Sequence, residues 1–459
     1  LPRNFSTLEN NPYYLLNYNQ DKNSSSLVGF TFTDEYSKNK IDNTITVVSQ
    51  FSDIKNTFGN IPNSAQIDEP SFSLRNEKYN LFSITNDFKY DYNYENSFGA
   101  KLTFKHQNRS LKRSFFDGFT DLISFPDFPT NEFTIERSQK RTELNLNLNG
   151  DFRIDDILGN DNIYIKLSSD LLYSSTLKNK LITNFNVGFD WRNFVLDRIS
   201  LFSNWSYRQY EPDLQNNNLS FNSLSYRLDQ FKQMRNTNEL FSPDKTLLTT
   251  NESNFTIGLR YQSPLSIDLE IYQKNVLNLY TPFLVDGSFS WLPAVDYYQN
   301  GLELTLSYDF NKYNYNRNFS YSTSLNFSKY KNKVTAIAQN ANRIPIAGFS
   351  DINKNYMINQ PLGVIVGSGF ERDSNNNIVI DDQGFPIVSD EPIVLGDPNP
   401  DFIIGQTNTF NYKKFKLDIA FDWSQGGELW NGTNQTLNYY GVSKETENLR
   451  NTTGYIFNG

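Results

Sequence analysis

Residues 395–433 read LGDPNPDFIIGQTNTFNYKKFKLDIAFDWSQGGELWNGT, and the second half of this stretch decides the fold class. Apolar side chains occupy every second position there, with polar or small side chains between them. A period of two is typical of a β-strand whose two faces contact different media. The apolar set, which we expect to face lipid, is Phe415, Leu417, Ile419, Phe421 and Trp423, and the opposite set is Lys416, Asp418, Ala420 and Asp422.

The residues before this strand predict its partner. Residues 404–412 also alternate, and Lys413 and Lys414 separate the two runs. Two residues make the shortest common hairpin connection, so we predict an antiparallel hairpin. Gly426 and Gly427 mark a turn at its far end.

The same alternation recurs along most of the chain. Leu144, Leu146 and Leu148 alternate with asparagines, and Leu302 and Leu304 begin a similar run. We predict about 14 strands, most of them near the roughly ten residues that a tilted membrane strand needs. The predicted fold class is therefore all-β, a transmembrane antiparallel β-barrel.

The predicted connections differ in length between the two ends of the strands. Short turns alternate with mostly long segments, as in outer-membrane barrels, whose long loops lie outside the cell. The predicted long outer loops cover about residues 53–79, 107–136, 209–251, 276–297 and 331–401.

Composition excludes several other classes. The chain has 459 residues, of which 15% are aromatic, a content that argues against disorder. No apolar run approaches the roughly 18 residues of a membrane-spanning helix. The net charge of -9 argues against nucleic-acid binding. A soluble β-sandwich or β-helix is the alternative, but its core would consist mainly of Leu, Ile and Val rather than of Phe, Tyr and Trp.

Catalytic chemistry has little support in the sequence. The chain has no Cys and a single histidine, His106, so the residue types for a thiolate site, a triad or a zinc site are missing. We therefore expect no enzymatic activity. Two Asp-x-Asn-x-Asn runs could supply alternating oxygen ligands to calcium, although solvated turns are the preferred interpretation because the Gly and Glu of an EF-hand loop are absent. The runs are Asp351, Asn353, Asn355 and Asp373, Asn375, Asn377.

Two further groups are candidates for binding. A basic cluster near the outer rim could pair with phosphates of outer-membrane lipid or simply be solvated, and it consists of Arg109, Lys112 and Arg113. Aromatic residues in the long loops could stack on sugar rings or on an extended peptide, or could pack loops against one another. These substrate-contact candidates are Phe289, Trp291, Tyr297, Tyr298, Tyr356, Phe370 and Trp430.

Several motifs in a fixed order resemble a known family. LGDPNPDF, the strand NTFNY and the segment FDWSQGGELWNGT resemble the late barrel of SusC/RagA-type TonB-dependent outer-membrane transporters, and QNGLELTLSYDF resembles an earlier strand of that family. The resemblance implies part of a 22-stranded barrel that an N-terminal plug closes. Residues 1–459 would form one partial barrel domain, with no plug domain in this chain.

The resemblance also implies partners and a location. It implies import of a glycan or peptide through a multi-pass barrel in the outer membrane of a Gram-negative cell. A SusD-like lipoprotein would act as a lid, and TonB would act through a segment outside this chain. Two alternatives stay open: a TonB-dependent receptor for a metal chelate or vitamin, and a barrel with a structural or secretion-associated role.

Overall fold

The computed structural model describes residues 20–36, 41–60, 71–93, 95–117, 131–155, 162–193, 198–211, 227–228, 231–232, 248–285, 288–310, 318–348 and 352–450. Its main element is an antiparallel sheet of 14 strands, in the order β1 to β8, β11 to β14, β19 and β20. Within the described residues, β1 and β20 form the two edges of this sheet. The predicted all-β antiparallel architecture is confirmed.

The bounds of the elements follow. The large sheet contains β1 (Gln20–Tyr36), β2 (Ile41–Asn60), β3 (Ser71–Asp91), β4 (Ser97–Asp117), β5 (Asn131–Asp155), β6 (Asn162–Ser174), β7 (Leu181–Arg192), β8 (Ile199–Tyr210), β11 (Thr250–Tyr261), β12 (Leu265–Val285), β13 (Ser288–Asp309), β14 (Phe319–Ile337), β19 (Pro400–Tyr412) and β20 (Phe415–Gly426). The remaining elements are β9 (Arg227–Leu228), β10 (Phe231–Lys232), β15 (Arg343–Gly348), β16 (Ile352–Met357), β17 (Val364–Gly367), β18 (Ile393–Gly396) and the helix α1 (Gly432–Tyr439).

The strand register places rows of apolar side chains on one face of the large sheet, here called the apolar face. Residues opposite each other in an antiparallel pair lie on the same face, so the pairs connect the alternating runs of successive strands. One row runs through Val47, Ile84, Phe104, Leu144 and Tyr173, and another through Leu201, Leu259, Leu269, Leu304 and Phe327.

The hairpin of β19 and β20 forms as predicted. Tyr412 pairs with Phe415, and the turn between them consists of Lys413 and Lys414. Stacking of Tyr321 on Phe410, with ring centres 4.7 Å apart, joins this hairpin to β14 on the apolar face. The alternation in residues 415–423 therefore belongs to a strand.

The prediction of a long loop at 276–297 is wrong, because β12 and β13 continue through it and pair until Val285 meets Ser288. Register shifts on either side of Leu279 interrupt the period of two, so the sequence does not show the alternation of a strand there. Asn278, with φ of 60°, lies within this irregular segment.

The predicted loops at 53–79 and 107–136 are too long. β2 and β3 pair until Asn60 meets Ser71, and β4 and β5 pair until Asp117 meets Asn131. Runs of consecutive polar residues, such as 75–78 and 107–110, interrupt the alternating pattern in these strands, while the backbone ladder continues.

The last two predicted loops contain further structure. The connection at 209–251 joins β8 to β11 and includes the two-residue strands β9 and β10. β14 continues to Ile337, and the chain between β14 and β19 forms a four-stranded antiparallel sheet in the order β15, β16, β17, β18. We call this second sheet the loop sheet. None of the described helices is long and apolar enough to cross a membrane.

The loop sheet is fixed to the end of the large sheet by a small apolar core. Its buried members come from β13, β14 and β15, and Leu279, Leu362 and Tyr356 pack around them. The buried side chains are Ala294, Val295, Val334, Ile337 and Ile344. This contact holds the loop sheet at the top of the β12–β14 strands.

Candidate functional site

The face opposite the apolar face, here called the polar face, carries a ladder of paired charges. Arg192 donates to Asp190 at 2.9 Å, and Arg260 donates to Asp268 at 3.0 Å on neighbouring strands. The guanidinium of Arg192 also lies 4.0 Å from the ring centre of Tyr164. Opposite charges that alternate across strands stabilise such a face in water.

The most buried charges of the polar face form one cluster near the start of the β8–β11 connection. Arg141 forms an ion pair with Glu211 at 2.7 Å, and the two side chains are 5% and 4% exposed. Glu211 also accepts hydrogen bonds from Ser174, at 2.6 Å, and from Thr176. The hydroxyl donors and the guanidinium together compensate for removing the carboxylate from water. The sequence prediction missed this cluster because its members are distant in the chain.

Side-chain amides fasten the loop sheet to β14. Asn332 accepts the Leu362 amide proton at 2.6 Å, and Asn399 donates to the Leu362 carbonyl at 3.0 Å. Val334 donates its amide proton to the Gln360 carbonyl at 2.9 Å. The segment before β17 therefore continues the backbone ladder of β14.

The GDPNP motif packs against the residues that follow β20. The Asp397 amide donates to the Glu428 carboxylate at 2.7 Å, and the Glu428 amide donates to the Asp397 carbonyl at 2.8 Å. Gly427 has φ of 78°, and a Cβ atom there would lie 3.1 Å from the Pro398 carbonyl oxygen. The glycine is thus required both by its backbone conformation and by the close approach of the motif.

The predicted substrate-contact aromatics belong to several elements. Phe289, Trp291, Tyr297 and Tyr298 lie in β13, not in a loop. Tyr297 and Tyr298 are consecutive strand residues and therefore point to opposite faces, so they do not form one stacking surface.

Two other aromatic candidates have structural roles. Tyr356 packs against the core below the loop sheet, and this burial raises the pKa of its hydroxyl. Trp430 donates from Nε1 to Gln435 at 2.7 Å, and its ring lies against Gly432 at the start of α1. Phe370, at 46% exposed, is a candidate whose side chain stays open to solvent.

The two predicted calcium runs differ in structure. Asp351 lies outside the described residues, while Asn353 and Asn355 are buried in β16, where the Asn355 amide donates to Asn353 Oδ1 at 2.6 Å. The solvated turn expected for this run is therefore wrong, because pairing of β16 with β17 covers it.

The second run is a turn, as expected. Asp373 accepts backbone N–H bonds from Asn377, at 2.9 Å, and from Asn375, at 2.8 Å, and these bonds lower the pKa of the Asp373 carboxyl. Across the described parts of the chain, no group of three His, Asp or Glu side chains is arranged to hold a metal.

The basic residues of the predicted rim cluster do not share one surface. Arg109 is buried and forms an ion pair with Glu77, with Nε 2.7 Å from Oε1. Lys112, three positions along β4, points to the other face and pairs with Glu136 at 2.6 Å. Arg113 lies in the same strand. Alternation in a strand therefore separates residues that the sequence groups together.

His106 lies in the middle of β4. The register aligns it with Phe82 on the apolar face, and its Nδ1 lies 2.9 Å from Thr142 Oγ1. This single hydrogen bond gives the imidazole a local partner.

Comparisons with curated proteins find TonB-dependent receptors. TonB-dependent receptor P3 of Formosa agariphila is 26% identical over 141 residues, which are 26% of this chain and 14% of that protein. TonB-dependent receptor P26 of the same organism is 42% identical over 52 residues, which are 11% of this chain and 5% of that protein. No family model matches the chain.

Solved structures match over most of the chain. The structure of the RagAB peptide transporter aligns with a TM-score of 0.61 and 15% identity, over 89% of this chain and 49% of that chain. The RagAB peptide importer in its open-open state aligns with a TM-score of 0.59 and 12% identity, over 90% and 48% of the two chains. This chain thus spans about half the length of these structures and a smaller share of the curated relatives. The relatives and the shared fold confirm that this chain resembles the SusC/RagA-type TonB-dependent outer-membrane transporters.

Proposed function

We propose that this chain forms part of the wall of a TonB-dependent outer-membrane transporter that imports an oligosaccharide or peptide. The observation that carries the proposal is the common register of 14 strands, which collects the apolar rows on one face. Many of these side chains are exposed, among them Phe104 at 38% and Leu144 at 46%. A bilayer would cover such a face, whereas water would leave it unfavourably hydrated.

The polar face supports the proposed import of a hydrated substrate. Several of its charges are paired by neighbours on the same face, as between Lys101 and Asp87 at 3.1 Å and between Lys274 and Glu252 at 2.9 Å. A hydrated lumen tolerates these charges, while lipid at the bilayer midplane would cost about 2–4 kcal/mol for each exposed Lys or Arg. The polar face would therefore line the path of a hydrated substrate.

The partners follow from the same proposal. A SusD-like lipoprotein would cover the loop sheet, which stands at the end of β12, β13 and β14. TonB would act through a segment outside this chain, in a Gram-negative outer membrane. The chain itself would catalyse no reaction. It would bind the substrate and allow it to pass through the barrel.

Deletion of the gene in its native host tests the function. Uptake of a labelled oligosaccharide or peptide mixture should fall in the deletion strain and in a strain that lacks TonB, and the intact gene should restore it. Uptake that persists without TonB would contradict the proposal and favour a structural or secretion-associated barrel. A growth defect confined to metal or vitamin limitation would favour a chelate receptor.

A further inference from the structure

We propose that the free edge of β18 binds an extended, positively charged peptide as an added strand. The inference rests on the proposed function and narrows its ligand from an oligosaccharide or peptide to a basic peptide. It is carried by the exposure of β18, by the fixed position of this strand and by the charge around it.

β18 is the exposed edge of the loop sheet. It pairs with β17 on one side and has no second strand partner among the described residues. All of β17 is buried, whereas Ile393, Val394 and Leu395 are 39%, 36% and 44% exposed. An edge strand presents unpaired backbone groups that an extended peptide can use, and alternate apolar side chains can then contact the peptide.

The edge is held in place at both ends. Gly369 approaches Ile393 so closely that a Cβ atom at position 369 would overlap the Ile393 side chain. At the other end, Gly396 packs against Glu428, and the Asp397 amide donates to the Glu428 carboxylate. Binding to a strand that is already ordered loses less conformational entropy than binding to a mobile loop.

The surroundings of this edge are strongly acidic. Six carboxylates between the end of β17 and the start of β18 are exposed, and within the described chain none of them forms an ion pair: Glu371, Asp373, Asp381, Asp382, Asp390 and Glu391. Arg372 is the one basic residue of residues 368–397, and it donates to the Asn376 carbonyl at 2.7 Å. Such a field attracts a cationic partner and increases its rate of association.

The charge also decides between possible occupants. Pro392 precedes the strand, and the pairing with β17 is irregular beside Val366, both of which keep the edge short. Two copies of this edge would repel each other because their carboxylates have the same sign. A neutral oligosaccharide would gain from neither the field nor the backbone edge. A peptide with alternating basic and apolar residues would gain from both.

Binding of synthetic peptides to the full chain in detergent tests the proposal. The probe is a short fluorescent peptide of alternating lysine and valine, and the charge control has glutamate in place of lysine. Fluorescence anisotropy should show binding of the lysine peptide at least about tenfold tighter than that of the glutamate peptide, weakening as salt rises. Equal binding of the two peptides, or displacement of the lysine peptide by neutral maltoheptaose, would overturn the proposal.

Two lysine substitutions separate strand addition from charge attraction. Val394→Lys changes the edge, whereas Val388→Lys adds the same charge at another exposed valine of the same acidic segment, at 56% exposed. Affinity for the lysine peptide should fall about tenfold further in V394K than in V388K. An equal fall in both variants would mean that charge alone attracts the peptide. Unchanged hydrogen exchange in β17 verifies that V394K keeps the loop sheet folded.

Different results would contradict the proposed transport function and the proposed peptide binding at β18. TonB-dependent uptake in cells without any peptide binding at the β18 edge would contradict peptide binding at this edge and would still support the transport function. Peptide binding that V394K abolishes, in cells that show no uptake, would keep the edge as a docking site and remove the transport function.

Discussion

At the scale of single residues, the burial of an ion pair determines how much it contributes to stability. Arg141 and Glu211 are almost fully buried, whereas Lys89 and Asp91 form a pair that is 53% and 33% exposed. Loss of Glu211 leaves the buried Arg141 with only the more distant Glu143 at 3.7 Å, whereas loss of Lys89 leaves a hydrated charge.

The first prediction concerns Glu211→Gln. We expect this change to lower the free energy of unfolding by about 1–3 kcal/mol, because Arg141 would lose its closest carboxylate and keep only Glu143, 3.7 Å away, as a counter-charge. Urea unfolding in detergent, followed by tryptophan fluorescence, measures the change. The matched control, Lys89→Gln, should cost less than about 1 kcal/mol. Equal costs in the two variants would show that burial does not govern these pairs.

The second prediction concerns the Asp373 turn. Because the backbone N–H bonds from Asn377 and Asn375 lower the pKa of Asp373, the carboxylate stabilises the turn above its unfolded pKa of about 3.9. This contribution is lost as pH falls through the lower pKa of the folded turn. Protection of the Asn375 and Asn377 amides, corrected for intrinsic exchange, should decrease over that range. Asp373→Asn should make protection independent of pH there, and an unchanged pH profile in this variant would exclude Asp373 as the cause.

At the scale of elements, the sequence predicts strands where apolar and polar residues alternate, and it fails where polar residues are consecutive or the register shifts. The hairpin of β19 and β20 alternates without interruption, and it was predicted with its turn. The upper halves of β12 and β13 were predicted as a loop, because the irregular pairing around Leu279 breaks the alternation. The sequence Asp286–Gly287 in the middle of that segment is a two-residue hairpin signal that could have corrected the prediction.

The loop sheet was missed for a different reason. Its strands β15 to β18 have four to six residues each, and β17 is buried throughout. Strands this short give too few positions for a period to be recognised, and a fully buried strand does not alternate. The contacts of Asn332 and Asn399 join residues distant in sequence, so no local pattern reports them.

The third prediction tests how the loop sheet is attached. Asn332→Ala removes the acceptor of the Leu362 amide and the 3.4 Å contact with Asn399. We expect faster hydrogen exchange at residues 358–366 and 397–401, with little change in the large sheet, because an unpaired, partly buried amide costs on the order of 1 kcal/mol.

Lys331→Ala provides the control, since Lys331 precedes Asn332 and is exposed. This variant should leave exchange at 358–366 unchanged. If both variants or neither of them increased exchange there, the amide contact would not be the attachment.

At the scale of the whole molecule, the two faces of the large sheet determine its environment. The fourth prediction compares neighbours in β20: Ile419→Arg should cost about 2–4 kcal/mol if this residue faces the bilayer midplane, and Ala420→Arg, on the polar face, should cost far less. Reversible unfolding in lipid vesicles measures both. A larger cost for Ala420→Arg would reverse the assignment of the faces, because a shift of one residue exchanges every side chain between them.

The accessibility of single spin labels along three strands in a bilayer tests most directly whether the apolar face contacts lipid. The chain has no native Cys, so cysteines can be introduced one at a time. Labels at Leu171, Leu325 and Leu417 should collide with oxygen dissolved in lipid, and labels at the neighbouring Asp170, Ser324 and Lys416 should collide with a water-soluble nickel complex. If the apolar face contacts lipid, this alternation has the same phase on all three strands; equal accessibility of neighbouring positions, or opposite phases on different strands, would contradict that assignment.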